Sequence, residues 1–171
     1  MSLIWQLKKA HAIEIGAYQA YKGHADSTKD DLIKRKIKAI QHDEFVHRME
    51  VGAMLHDLGE KSNVFLDIIL WCIGSSISAA CHVMGARAAA WGAKIMEIMG
   101  SSVYWKLART ATDSGHQELH AKFCEMARTE EEHEKYFAKL FAPQCTCRYL
   151  IYLNGNKSRE ANPFCRAEHR D

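Results

Sequence analysis

IKRKIKAIQHDEFVHRMEVGAMLHDL, residues 33–58, reads as one amphipathic helix with an anomaly in its apolar face. Ile33, Ile37, Ile40, Glu44, His47, Val51, Met54 and Leu58 follow one another at steps of three and four, the spacing that lines one side of a helix. Two of these positions hold ionisable side chains. A solvated glutamate would stand on the opposite face, with Lys34, Lys38 and Arg48. Glu44 and His47, three residues apart, instead share the face that the isoleucines bury.

The arrangement recurs. Leu119, Phe123, Met126, Glu130, His133, Phe137 and Leu140 form a second stripe with Glu-x-x-His embedded in it. Two further stripes carry one glutamate each. Ile4, Leu7, Glu14, Tyr18 and Tyr21 make the first, and Ala86, Ala90, Ala93, Glu97, Gly100, Tyr104 and Leu107 the second. Each lone glutamate is followed seven residues later by a tyrosine (14 to 21, 97 to 104), and each precedes its paired glutamate by 30 (14 to 44) or 33 (97 to 130) residues. One Glu-x-x-His arises easily by chance in a chain with 10 histidines, and the run Glu130–Glu132 makes it easier. Two of them, in register with two glutamates and two tyrosines, describe a duplicated helix hairpin.

Burying four carboxylates together costs several kcal/mol per ion, roughly, or forces protonation, unless cations balance them. Two divalent cations with neutral imidazoles completing the coordination meet that requirement. A glutamate from each of two helices and Glu-x-x-His from two others is the ligand set of dinuclear carboxylate bundles. The candidate metal ligands are therefore Glu14, Glu44, His47, Glu97, Glu130 and His133, holding two iron ions, with manganese as the alternative. The expected fold is all-α, a ferritin-like four-helix bundle over 1–142 with one long crossover supplied by residues 61–84. Gly23 and Gly59 are expected to end the first two helices, and Ser27 or Thr28 to cap the second, with Asp30 and Asp31 in its first turn.

Three residues near the ligands carry two readings each. Asp43 either orients a ligand histidine by hydrogen bonding or faces solvent. Tyr21 and Tyr104 either line a substrate or radical path or fill the core with bonded hydroxyls. His11, His24, His42, His56, His82, His116 and His120 have no matching partners and read as surface or edge residues. The apolar stretch Val64–Ala80 is short for a membrane span and is interrupted by Asp67. It reads as a crossover helix packed on the bundle or as an interfacial helix touching lipid.

The tail, 143–171, is polar and holds both prolines, after a proline-free stretch that permits long helices. Its Cys145, Cys147, Cys165 and His169 make a weak zinc set, because Cys-x-Cys is less typical of such sites than Cys-x-x-Cys. The other cysteines, Cys72, Cys81 and Cys124, sit in apolar helical stretches as small hydrophobes, which fits a reducing, cytoplasmic compartment. The first residues lack the apolar run of a signal peptide, and Glu14 is unlike a transit peptide. A net charge of +2 gives no basic face for nucleic acid.

The chain resembles the demethoxyubiquinone hydroxylase family of ferritin-like di-iron proteins over roughly residues 10–141. The stretch Glu14-Ile-Gly-Ala-Tyr-Gln-Ala-Tyr21, the Leu70-Trp71 pair followed by Gly74, Gly85 twelve residues before Glu97, and both Glu-x-x-His pairs carry the likeness. The resemblance implies iron at the six ligands, with Glu44 and Glu97 bridging. It also implies a monooxygenase, peripheral on the inner membrane, that uses dioxygen to hydroxylate a long-tailed quinone in ubiquinone biosynthesis. Where that family continues with a further apolar helix, this chain has Ala142-Pro143 and its cysteine-bearing tail. No flavin or nicotinamide fingerprint is visible, so an external donor or the substrate must supply electrons. The apolar crossover suggests a monomer or homodimer rather than a ferritin shell. The alternative is a ferritin- or rubrerythrin-like ferroxidase or peroxide reductase, although the rubredoxin-type pair of Cys-x-x-Cys motifs is lacking.

Overall fold

Every regular element in the computed structural model, which describes residues 2–141, is a helix. In chain order these are α1 (Leu3–Ser27), α2 (Asp31–Asp57), α3 (Val64–Met84), α4 (Ala86–Asp113) and α5 (Gln117–Phe141). The all-α architecture is that of a ferritin-like bundle, with α3 as the crossover between the hairpins α1–α2 and α4–α5. The zinc set expected of Cys145, Cys147, Cys165 and His169 lies outside the described residues.

Local chemistry sets the helix ends. The Ser2 hydroxyl accepts from Trp5 N, and the Asn63 side chain accepts from Phe65 N and Leu66 N, so orphan donors at the starts of α1 and α3 are satisfied. Asp30 caps α2 by accepting from Leu32 N and Ile33 N, in place of the expected Ser27 or Thr28. Those two hydroxyls instead donate back to the His24 carbonyl. Thr28 thereby closes α1, which runs one turn past Gly23. Gly59, Gly85 and Gly115 take positive φ at the ends of α2, α3 and α4, where a side chain would be strained.

The two hairpins are antiparallel across the core. Tyr21 meets Glu97 while Tyr104 meets Glu14, so residue numbers rise along α1 as they fall along α4. His47 lies against Glu130 and His133 against Glu44, which gives α2 and α5 the same relation. The crossover α3 packs against α1 through missing side chains. A Cβ on Gly74 would stand 2.1 Å from the Gly16 carbonyl oxygen, and one on Gly23 would stand 2.4 Å from the Ser78 backbone. Backbone that close is unyielding, so the pair α1–α3 depends on glycine there. The rest of α3 is largely solvent-facing, with Gly74 and Cys81 its buried residues.

Two histidines depart from the surface or edge placement expected of them. His11 is buried, and its Nδ1 lies 3.0 Å from Asp67 Oδ1, tying α1 to the first turn of α3. His24 is 3% exposed and stacks on Phe137 with ring centroids 5.6 Å apart. Burial lowers the His24 pKa from 6.5 to about 4. Between those values the unfolded chain holds a proton that the folded chain does not, so stability falls as pH falls through this window. The expected loss by pH 4 is roughly 2–3 kcal/mol, and His24→Phe should abolish that part of the acid sensitivity in urea unfolding measured at pH 7 and pH 4.5.

Candidate metal centre

Glu14 and Glu97 lie midway along α1 and α4, and the two Glu-x-x-His pairs lie on α2 and α5. The structure brings all six side chains into one buried cluster, each 1–5% exposed. Two overlapping groups result, Glu14 with Glu44, His47 and Glu130, and Glu44 with Glu97, Glu130 and His133. Within each group one ligand-type atom per residue lies within 4.8 Å of the others. Glu44 and Glu130 belong to both groups. The resemblance implied Glu44 and Glu97 as bridges; the residues that occur in both groups are Glu44 and Glu130, with Glu97 in one.

Four buried atoms in this cluster have no hydrogen-bond partner: Glu44 Oε1, His47 Nδ1, Glu130 Oε1 and His133 Nδ1. His47 Nδ1 and Glu130 Oε1 are 2.9 Å apart, and His133 Nδ1 is 3.5 Å from Glu44 Oε1. The atoms are close but not aimed at one another as donor and acceptor. Buried polar atoms are almost always satisfied, so four neighbouring orphans in one cluster fit cations between them. Carboxylate and imidazole donors in this number suit iron, and the cluster is compatible with a di-iron centre.

Electrostatics point the same way. Burial, reinforced by Glu130, raises the Glu14 pKa, and burial with the same neighbour holds Glu44 well above the usual carboxylate range. Glu130 is pushed up to about 8, chiefly by burial. Burial opposes charge on His47 and His133, but Glu130 beside the first and Glu97 beside the second prevail and raise both imidazoles. Without cations the cluster therefore retains protons that it would otherwise lose.

The neighbours of the cluster settle where three further residues stand. Asp43, 41% exposed at its side chain, places Oδ2 3.1 Å from His133 Nε2, the nitrogen that faces away from the cluster. It holds the ring as an orienting carboxylate does. Position 129, the counterpart of Asp43 in the other half, is a threonine. The tyrosines are exchanged between halves: Tyr21 donates to Glu97 Oε1 and Tyr104 donates to Glu14 Oε1. Both phenols are buried, and burial beside those carboxylates raises their pKa well above 10. They remain protonated donors at any ordinary pH. Tyr21 stacks on Phe137, and Tyr104 packs against His47 and Phe123.

A cavity of about 240 Å³ opens on the cluster. Glu14, Glu44, Glu97 and Glu130 line one side, and Leu70, Ile73, Met96 and Val103 contribute to its apolar walls. A second cavity of about 230 Å³ shares the lining residues Tyr21, Ile77 and Met96 with the first and is lined also by His24 and Met84. The sequence reading did not identify Gly100, which lies beside Glu130 in the first cavity. Its place on the α4 stripe, three residues after Glu97, was the available signal.

Residues 92–146 match the Rubrerythrin family model, a ferritin-like di-iron family. The matched stretch contains Glu97, Tyr104, Glu130 and His133, the second half of the repeat. Neither the curated proteins nor the solved structures compared with the chain gave a match.

Proposed function

We propose that this chain is a di-iron, oxygen-activating monooxygenase that hydroxylates an apolar ring substrate of the demethoxyubiquinone type. The observation that carries the reading is the cavity walled by four cluster carboxylates on one side and apolar side chains on the rest. A centre that only stores or oxidises iron has no use for an apolar chamber at its ligands. Glu14, Glu44, His47, Glu97, Glu130 and His133 would hold the metals, with Glu44 and Glu130 common to both. Bound iron would supply the redox chemistry that activates dioxygen.

The protein's own contribution is orientation and a dry pocket. Tyr21 and Tyr104 each hold one oxygen of a terminal glutamate, which fixes the direction of the other. Asp43 fixes the His133 ring. Leu70, Ile73 and Met96 give the space beside the carboxylates apolar walls that would favour an apolar ring over water. The neighbouring cavity, which shares Tyr21 with the first, would give room for an apolar substituent. Electrons come from an external donor or from a reduced substrate.

Access for such a substrate is through lipid in this reading. Helix α3 is long and apolar enough to cross a membrane by length and composition, yet it lies along the bundle with Phe65, Ile68, Trp71 and Ile73 exposed. Trp91 and Ile95 of α4 are exposed as well. A membrane surface contacting these residues would deliver an apolar molecule to the adjacent cavities.

The family match favours a second reading, a rubrerythrin-like ferroxidase or peroxide-reducing protein. Iron-loaded protein exposed to dioxygen with a reduced, short-chain methoxyquinol separates the two. Hydroxylation is expected, seen by mass spectrometry as the gain of one oxygen atom on the ring. Peroxide turnover without any hydroxylated product would replace this reading with the second.

A further inference from the structure

We propose that Gly100 is a positioning residue for Glu130, its missing side chain forming the seat for the carboxylate shared by both halves of the centre. The inference rests on the dinuclear reading of the cluster. A Cβ built on Gly100 would stand 2.7 Å from Glu130 Oε2, 3.1 Å from its Cδ and 3.5 Å from its Cγ. Those are the nearest atoms, and all belong to the end of one flexible side chain. An alanine would therefore displace the Glu130 carboxylate rather than the backbone of either helix.

Helix propensity argues that this gap is kept for a reason. Glycine inside a helix costs about 1 kcal/mol relative to alanine, and Gly100 is buried in the middle of α4. The neighbouring Gly92 on the same helix differs, because a Cβ there would meet nothing within 4 Å. Alanine at either position should improve α4 as a helix. Alanine at 100 alone should move Oε2, whose partner atom Oε1 is one of the orphans facing the cluster. Both cluster groups contain Glu130, so the displacement acts on both. Gly100 also lines the first cavity, so the same methyl would narrow the space beside the carboxylates.

The test is cobalt(II) titration of the metal-free full chain, read by visible absorption, for wild type, Gly100→Ala and Gly92→Ala, with a thermal melt of each metal-free protein. Gly100→Ala is expected to melt at or above the wild-type temperature. It should nevertheless bind cobalt(II) at least about tenfold more weakly, as loss of ligand support does, with a shifted absorption band. Gly92→Ala should bind as wild type does. In a Glu130→Asp background, whose shorter side chain withdraws from the seat, adding Gly100→Ala should have little further effect. Wild-type affinity and spectrum in folded Gly100→Ala, or an equal loss in the Glu130→Asp background, would overturn the inference and leave the dinuclear reading standing. Failure of wild type to bind two cobalt ions would overturn both.

Discussion

Adding ferrous or cobaltous ion to the metal-free chain at pH 7.5 is expected to raise its thermal midpoint by roughly 10 °C or more. Each site saturated a thousandfold above its dissociation constant adds about 4 kcal/mol, and a domain of this size shifts by about 2–4 °C per kcal/mol. The physical source is the buried carboxylate cluster, which is self-repelling when ionised and has four orphan polar atoms. The pH dependence follows from the raised pKa of Glu130, about 8 against an unfolded value of 4.5. A group raised on folding gives stability that is present below 4.5 and lost as pH rises through 8. The metal-free protein should therefore weaken between pH 6.5 and pH 8, above the range in which His24 acts. The metal-loaded protein should not, since bound cations replace the protons and their uptake releases acid. Differential scanning fluorimetry across that range, with and without metal, checks both statements. A metal-induced rise of less than about 2 °C would contradict them.

Replacing the shared carboxylates is expected to do more damage to metal binding than replacing the terminal ones. Glu44 and Glu130 occur in both groups, Glu14 and Glu97 in one each. Glu44→Ala and Glu130→Ala should abolish tight binding of both ions, whereas Glu14→Ala and Glu97→Ala should each leave one. The two survivors differ. Glu14→Ala retains the group with His133, whose ring Asp43 orients, and Glu97→Ala retains the group with His47, where the sequence counterpart of Asp43 is Thr129. Metal analysis after equilibrium dialysis measures this. Equal loss in all four variants would remove the distinction between shared and terminal ligands. Stability divides the variants differently: Glu14→Ala and Glu97→Ala also strip buried Tyr104 and Tyr21 of their acceptors and should lower the melting temperature of the metal-free protein.

The helical register made most of this visible in the chain. Ionisable residues on apolar stripes are conspicuous because a period of 3.6 residues leaves little ambiguity over 25-residue helices. All six candidate ligands could be named on that ground. The tyrosines show where such reading stops. Seven helical residues span about 10.5 Å, so neither phenol can reach the glutamate that precedes it. Each must bond across to another helix, but which one depends on the antiparallel pairing of α1 with α4, a property of the assembled bundle. Membership of Glu44 and Glu130 in both groups was out of reach for the same reason, since it depends on distances across the assembled bundle. Burial of His11 and His24 was invisible because each is stabilised by one partner distant in sequence, Asp67 and Phe137. Capping by Asp30 over Ser27 or Thr28 was decided by His24, whose carbonyl takes both hydroxyls. Gly100 was visible only as a glycine on the α4 stripe, because its closeness to the Glu130 carboxylate, thirty residues away, exists only in the folded bundle.

The most direct measurement is anaerobic titration of the metal-free chain with ferrous ion, followed by desalting and iron determination against protein. Two irons retained per chain, falling to none in the Glu44→Ala, Glu130→Ala double variant, is the predicted result. Fewer than one iron per wild-type chain, or undiminished iron in the double variant, would contradict the account.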